Sequence, residues 1–421
     1  MKKTKIVATI GPSSESQTVL RAMAQAGMNV CRLNFSHGDY KWHKRTIKRI
    51  RAVEKQTRKK IGIMADIQGA RVRVANRSQL TVSKGEVIFL TDGRSTHNQS
   101  HEKDLVLNWK GFHEFLKRGD RVYIEDGIIQ LEIVKRVRGG CSARVLVDGK
   151  LKPHKGVNIP SISKYLGFLT SKDLDDLQFI LSQNVDFIAA SFVSRKEDLK
   201  NLKRVIQHFY EREKKDRRAK KDRQQRNMPW IISKIERRKA LKNIKEIIKE
   251  SDAIMVARGD LAIEMPQEKV AIYQKDIVQK CIKAKKPVIV ATQMMASMIN
   301  NARPTRAEIS DVTNAVIDNA DSIMLSNETA VGAYPVKVVE AMAKIIKSTE
   351  DSPYNDVKLK KYGRLAKLLF LAKKRKTKIF KAKDLEETVR VSSLRQEDVK
   401  ITLTSKKPEL KRKAALVWGV D

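Results

Sequence analysis

Long apolar runs are missing from this chain. No stretch of about 18 or more apolar residues occurs, so no membrane span is expected. The stretch from Met1 to Pro12 starts basic, but its apolar run is too short for a secretory signal and breaks at Gly11-Pro12. Cysteine is scarce as well: only Cys31, Cys141 and Cys281 occur, far apart in sequence. Such spacing makes neither a disulfide framework nor a zinc site, and a reducing cytoplasm is the default expectation. Acidic residues are also few, with Asp+Glu 48 against Lys+Arg 87, a formal net charge of +39. A chain so basic should attract polyanions. The plainer explanation is a lysine-rich solvated surface, because the excess is spread along the whole chain.

At 421 residues with 41% hydrophobic content, the chain is long enough for two or three packed domains. Eight short apolar segments read as strands: 5–10, 29–35, 61–67, 185–191, 230–235, 253–257, 287–292 and 322–326. Amphipathic helical patterns lie between most of them, at 17–26, 40–56, 172–182, 239–248, 267–283 and 306–319. Uniformly apolar strands alternating with helices predict a parallel sheet buried on both faces. Eight such units close naturally into an α/β (β/α)8 TIM barrel. A long alternating region follows the third strand, with runs at 79–82, 86–90, 121–124, 128–135 and 143–147, and reads as an inserted all-β domain. The expected division is barrel 1–73, inserted β-barrel lid 74–158, barrel 159–334, and a shortened C-terminal α/β domain over 335–421 with strands near 378–380 and 399–403. The charged stretch 211–226 reads as a solvated helix extension or loop; no aromatic residues interleave with it to stack on bases.

Barrel enzymes keep their chemistry at the carboxyl ends of their strands. Here those tips are polar: Gly11-Pro12-Ser13-Ser14 after the first, Arg32, Asn34, Ser36 and His37 at the second, Asp66 then Arg71 and Arg73 at the third. Lys234 and Glu236 end the fifth, Gly259 and Asp260 the sixth, Thr292 and Gln293 the seventh, Ser326 and Glu328 the eighth. Glu236 and Asp260 are hard oxygen ligands suited to Mg²⁺ or Mn²⁺. Arg32, Arg73 and Lys234 suit phosphoryl oxygens and developing negative charge, and the backbone N–H groups of Gly259-Asp260-Leu261 are placed for a small anion. Together these predict phosphoryl transfer or enolate chemistry on a small phosphorylated acid. The alternative is a salt bridge from Lys234 that merely closes the barrel mouth.

Eight blocks of the chain are similar to the pyruvate kinase family and fall in that family's order: 5–14 (KIVATIGPSS), 27–38 (GMNVCRLNFSHG), 155–160 (KGVNIP), 233–236 (SKIE), 254–261 (IMVARGDL), 287–294 (PVIVATQM), 303–308 (RPTRAE) and 323–330 (IMLSNETA). The resemblance implies a barrel with a β lid over its mouth and a C-terminal α/β domain. It also implies a cytoplasmic, glycolytic reaction in which the phosphoryl group of phosphoenolpyruvate passes to ADP, giving ATP and pyruvate. By similarity, Glu236 and Asp260 hold Mg²⁺ or Mn²⁺, and Lys234, Thr292, Arg32 and Arg73 carry catalysis. The N–H groups around Gly259 and Asp260, with Lys234 and Thr292, bind the substrate. Pro12, Arg32, Asn34, His37, Asp126 and Lys155 match nucleotide-side positions. Asn34, Ser36, Asp66 and the carbonyl of Ile67 match a monovalent-cation site. Closure of the lid, which carries Asp126 and Lys155, would complete the site and exclude water. A homo-oligomer is implied too.

Some positions depart from the family. Its usual Asp-Thr-Lys-Gly-Pro-Glu-Ile-Arg is here Asp66-Ile67-Gln68-Gly69-Ala70-Arg71-Val72-Arg73. Some members carry Lys at that Glu position and work without potassium, so Arg71, a fixed cation, is expected to replace K⁺. Ala262 and Asn327 replace glycines common in the family, which would strain the backbone if φ is positive there. Residues 400–419 resemble a segment that in the family is followed by further strands bearing a sugar-phosphate effector loop, and loss of that allostery is expected. The competing expectation is a catalytically impaired homologue acting as a basic polyanion-binding or scaffold protein.

Overall fold

The computed structural model describes residues 2–93, 104–125, 127–215, 228–355, 379–393, 400–405 and 407–420. Eight parallel strands close a barrel: β1 Lys5–Thr9, β2 Val30–Asn34, β3 Gly62–Ile67, β13 Phe187–Ala190, β14 Trp230–Ile235, β15 Ala253–Ala257, β16 Val288–Ala291 and β17 Ser322–Leu325. Their order around the barrel, β1-β17-β16-β15-β14-β13-β3-β2, places sequence neighbours side by side and joins the first strand to the last. All eight segments expected from the sequence are there. Each is uniformly apolar because both faces are buried, one under the helices and one inside the barrel.

Side-chain alternation sorts the two faces. Ile6, Ala8, Cys31, Leu33, Ile63 and Ala65 pack outward under the helices. Val7, Val30, Met64, Phe187, Ile232, Met255, Ile289 and Met324 fill the interior. The same period of 2 carries the interior face upward into Arg32 and Asn34 on β2, Asp66 on β3 and Lys234 on β14. The interior is therefore apolar low in the barrel and charged at its mouth.

Helix starts are written locally. Thr170 and Asp173 form a capping box on the helix Ser171–Ser182, and Thr305 and Glu308 do so on Arg306–Ile317. Asp173 also reaches beyond its own helix, where its Oδ1 accepts the Gly69 N–H at 2.9 Å. Gly69 has φ +68, and a Cβ there would come within 3.1–3.2 Å of Phe192 and Ser191, so the tight exit from β3 needs glycine. The helix expected over 239–248 is instead two, Arg238–Lys242 and Ile244–Glu250, broken at Asn243. Neither Ala262 nor Asn327 has positive φ; each lies in a short helix, so the strain anticipated at those positions does not arise.

Between β3 and the helix Ser171–Ser182 the chain forms a separate β unit. Its main sheet has seven strands in the order β4-β12-β8-β9-β10-β6-β7 (β4 Val72–Arg73, β6 Val87–Thr91, β7 Asp104–Val106, β8 Arg121–Ile124, β9 Ile129–Val137, β10 Gly140–Val147, β12 Gly156–Asn158). A small second sheet pairs β5 Leu80–Val82 with β11 Gly149–Leu151. The unit has its own core around Leu90, Phe112, Val122, Leu131 and Val145, which Ile159, Ile162 and Leu166 extend. β4 and β12 are the two crossings into it, and they pair antiparallel, Gly156 with Arg73 and Val157 with Val72.

The lower end of the barrel is sealed by residues 408–420. Leu416 is fully buried against the barrel interior, and its carbonyl accepts the Ser322 Oγ–H at 2.9 Å. Asp186, at the foot of β13, binds Arg51 Nη2 and Arg412 Nε at 2.8 Å each and accepts the Ile63 N–H at 2.9 Å. Packed with this segment, β18 Ile379–Ala382 and β19 Lys400–Leu403 form a parallel pair. Residues 216–226 of the charged stretch lie outside the described residues; the part before them ends the helix Lys196–Lys215. No helix among the described residues is long and apolar enough to cross a membrane.

Candidate active site at the barrel mouth

Lys234 is the centre of the mouth. Its Nζ lies 3.0 Å from Glu236 Oε1, 3.2 Å from Asp66 Oδ1 and 2.7 Å from Ser191 Oγ. Arg32 closes the other side of Asp66, with Nε to Oδ2 at 2.7 Å, and its Nη1 donates to Thr9 Oγ1 at 3.0 Å. Burial opposes charge on Lys234, but Asp66 and Glu236 outweigh it and lift the ammonium above the ordinary lysine value. Burial would likewise raise Asp66, yet Lys234 and Arg32 hold it below the usual carboxylate range. Glu236 goes the other way: burial pushes it up, Lys234 opposes, and nearby Asp260 adds to the rise.

These groups face a cavity of about 100 Å³ lined by Arg32, Asn34, Ser36, Asp66, Arg71, Lys234, Glu236, Asp260 and Thr292 among others. The structure thus brings nine of the sequence-derived residues to one cleft, and adds Gln68 to its wall. Ser36 N–H donates to Asn34 Oδ1 at 3.1 Å, and the Ile67 carbonyl accepts from Ser191 Oγ at 2.8 Å. The Gly259 N–H is taken by Thr292 Oγ1 at 2.8 Å, so that amide is engaged rather than open to an anion. Thr292 itself has φ 69, and Gln293 follows at φ 54. Ile289 and Ala291 face the interior, so regular alternation would turn Thr292 outward; the left-handed backbone re-aims its side chain at the cleft. A β-branched residue in that region is a genuine outlier, of the kind that collects at functional sites.

Arg73, His37, Lys155 and Pro12 stand outside the lining of that cavity. Arg73 Nη1 donates to the His154 carbonyl at 2.8 Å, Lys155 pairs with Glu125, and Pro12 is exposed. Burial, then Arg73, Arg32, Lys155 and Arg71, lower His37 from its ordinary value, so four cations gather around it. Asp126 lies outside the described residues.

The His37 loop rests on His43. His43 is buried, stacks on Phe35 at 4.0 Å, and sits with Nε2 3.0 Å from the His37 carbonyl. A carbonyl only accepts, so Nε2 carries the proton and the buried Nδ1 is left without a partner. Burial dominates and brings His43 down to about 4, against an opposing contribution from the His37 hydrogen bond; Lys172 pushes the same way as burial and Asp39 against it. With the folded value below the unfolded value, stability is complete above about pH 6.5 and falls as pH drops toward 4, by roughly 3 kcal/mol. Urea unfolding at pH 7 and pH 4.5 should show this loss, and His43→Phe should remove most of it; an unchanged slope with pH in the variant would refute the assignment.

Three residues in the site were missed from the sequence. Ser191 holds Lys234; it follows the apolar run Phe187–Ala190 directly, and its tip position was the available signal. Phe192, at φ 59, donates its N–H to Glu236 Oε2 at 2.6 Å, under the Arg237 guanidinium 4.7 Å above its ring. Asn158 of β12 reaches Asp260 Oδ1 at 3.4 Å. Only the folded chain places the last two there.

A divalent ion fits the donor set. Glu236 and Asp260 line one cleft, and the Asp260 charge adds to the cost of ionising Glu236, which a cation between them would relieve. No group of three or more His, Cys, Asp or Glu side chains placed to hold a metal occurs among the described residues. Two carboxylates without a third such ligand among the described residues would suit a hard divalent cation that completes its shell with other oxygens, rather than a closed protein cage.

The closed eight-stranded barrel and its charged mouth define a (β/α)8 protein with a metal-compatible, anion-receptive cleft. Comparison with known proteins is specific: the family description "Pyruvate kinase, barrel domain" matches residues 1–339. A pyruvate kinase of Staphylococcus saprophyticus is 41% identical over 354 residues, 83% of this chain and 57% of that protein. One from Clostridium perfringens is 40% identical over 353 residues, covering 83% and 71%, and one from Thermococcus litoralis 38% over 351 residues, covering 83% and 70%. The chain belongs to the pyruvate kinase family. It spans 57% of the length of the staphylococcal relative.

Proposed function

We propose that this protein is a cytoplasmic pyruvate kinase that moves the phosphoryl group of phosphoenolpyruvate to ADP. The observation that carries the proposal is Lys234, buried within 3.2 Å of Asp66, Glu236 and Ser191, beside Arg32 and Thr292 in one cleft. Phosphoryl transfer demands little covalent help; positioning and charge stabilisation suffice. Arg32 and Lys234 would face the transferring phosphoryl oxygens as their negative charge spreads. Lys234, held as an ammonium, would also stabilise the enolate oxygen left behind. Thr292 would hold the substrate carboxylate side and orient the proton delivered to the enolate carbon. Arg73, His37, Lys155 and Pro12 would flank ADP, with the β unit closing over the mouth. Glu236 and Asp260 would hold Mg²⁺ or Mn²⁺, which when bound neutralises phosphate charge.

The test is a lactate-dehydrogenase-coupled assay with phosphoenolpyruvate, ADP and Mg²⁺. Pyruvate-dependent NADH oxidation well above that of a Lys234→Met control is expected, and no difference from that control would reject the proposal.

The proposal extends to the monovalent cation. Arg71 lines the same cleft as Asn34, Ser36 and Asp66, which supports a guanidinium supplying the positive charge that a potassium ion would otherwise add. Activity should be the same within about twofold in K⁺-free and K⁺-containing buffer, and unaltered by sugar phosphates; strong activation by K⁺ would overturn it. Homo-oligomer formation belongs to the same reading. The competing role, polyanion binding driven by the +39 charge, predicts tight RNA binding with a steep salt slope at physiological ionic strength.

A further inference from the structure

Asp260 does more than face the cleft. Its Oδ1 is 3.2 Å from Arg71 Nη2 and 3.4 Å from Asn158 Nδ2. Arg71 is the residue before β4, and Asn158 is the last residue of β12. Those strands are the two crossings by which the chain enters and leaves the inserted β unit. Both crossings therefore end on one oxygen of a barrel carboxylate. The crossing is built to let this happen. A Cβ on Gly156 would lie only 2.4–2.7 Å from the Arg71 guanidinium, so glycine leaves the space that the guanidinium occupies beside β12. The ion pair is also well shielded, with side-chain exposures of 23% and 16%, so solvent screens it only in part.

We infer that Arg71 and Asn158 bolt the base of the inserted β unit to the barrel through Asp260, and that a divalent cation on Asp260 draws this bolt. The inference rests on the proposed role of Asp260 as a metal ligand. The guanidinium is the resident counter-charge of the carboxylate, and the Arg71 and Asn158 contacts both fall on Oδ1. A divalent cation that takes Oδ1 displaces them, and one on Oδ2 repels the guanidinium and withdraws charge from the carboxylate, so either way the contact is weakened. Binding of the metal and release of the hinge are then one equilibrium, and the coupling works equally in both directions. A hinge held in this way is set by charge at the site and needs no contact with the distant parts of the β unit.

The experiment uses Mn²⁺ alone on the full chain, with Mn²⁺ affinity read by electron paramagnetic resonance and hinge opening by hydrogen exchange in 72–74 and 156–158. Wild type should bind Mn²⁺, and Asp260→Asn should lose that binding. Arg71→Met should bind Mn²⁺ about tenfold more tightly, within the usual range of coupling between sites, and Asn158→Ala should shift in the same direction by less. In wild type, saturating Mn²⁺ should speed exchange across 72–74 and 156–158; in Arg71→Met that exchange should be fast from the start and indifferent to Mn²⁺. Loss of Mn²⁺ binding in Asp260→Asn with unchanged affinity in Arg71→Met would overturn the bolt and leave the metal site standing. Unchanged binding in Asp260→Asn would overturn the metal role itself. Arg71→Lys separates charge from reach: it should restore most of the wild-type affinity, and an affinity equal to that of Arg71→Met would refute the charge argument.

Discussion

Lys234→Met should lower turnover by about a thousandfold and leave a folded protein. Removing a single preorganised charge-stabilising donor typically costs about 10²–10³ in rate, and Lys234 would serve two steps of the proposed reaction. The fold should survive because the partners of Lys234 are not stranded. Asp66 keeps Arg32 at 2.7 Å, and Glu236 keeps the Phe192 N–H at 2.6 Å. Circular dichroism and Mn²⁺ binding would establish the folded state, and the coupled assay would give the rate. Retention of more than a tenth of wild-type turnover would remove Lys234 from the centre of the chemistry.

The second large effect lies at the opposite end of the barrel. Asp186→Ala strips the shared acceptor from Arg412 and Arg51 and from the Ile63 N–H. Arg51 keeps Glu54 at 2.8 Å, but Arg412 retains only the far edge of that carboxylate, at 3.9 Å. Breaking a buried charge cluster by deleting one member generally costs about 3–5 kcal/mol, because the remaining charge is left uncompensated. The urea midpoint should fall accordingly, with Asp186→Asn intermediate because it keeps the shape and one acceptor. A loss below about 1 kcal/mol would mean that water reaches the floor and solvates Arg412. The site is a barrel length away, so KM for phosphoenolpyruvate should hold in whatever fraction remains folded.

The barrel strands were readable from sequence because burial on both faces leaves uniformly apolar runs, and because a polar residue ending such a run is conspicuous. Arg32, Asp66, Lys234 and Glu236 were found in that way. The two-residue β4 and the three-residue β7, β11 and β12 are too short to show alternation, so no run in the sequence marks these strands of the inserted unit. The orientation of Thr292 depends on a positive φ that no residue pattern announces. The sequence shows Arg71 as an unusual cation but not its partner, since its contact with Asp260 spans the gap between β4 and the segment after β15 and exists only when both are folded. Asn158 was invisible for the same reason. The break at Asn243 gives two helices where the periodicity predicts one; its backbone leaves the helical region there and its Nδ2 donates to the Ser194 carbonyl at 2.8 Å.

The barrel floor has a consequence for how the chain is made. Lys5 Nζ donates to the Val420 carbonyl across 415 positions, Trp418 N–H bonds Asp321 Oδ1 at 3.1 Å, and Leu416 plugs an interior begun by Val7 and Val30. A ribosome delivers the first strands long before the residues that stopper them. Until residues 408–420 emerge, the lower rim of the nascent barrel exposes Val7, Val30, Met64 and Phe187 to water, an invitation to aggregation or to a chaperone. Sealing is necessarily a late, long-range event, and the slowest step in maturation should be the docking of this segment rather than the pairing of the strands.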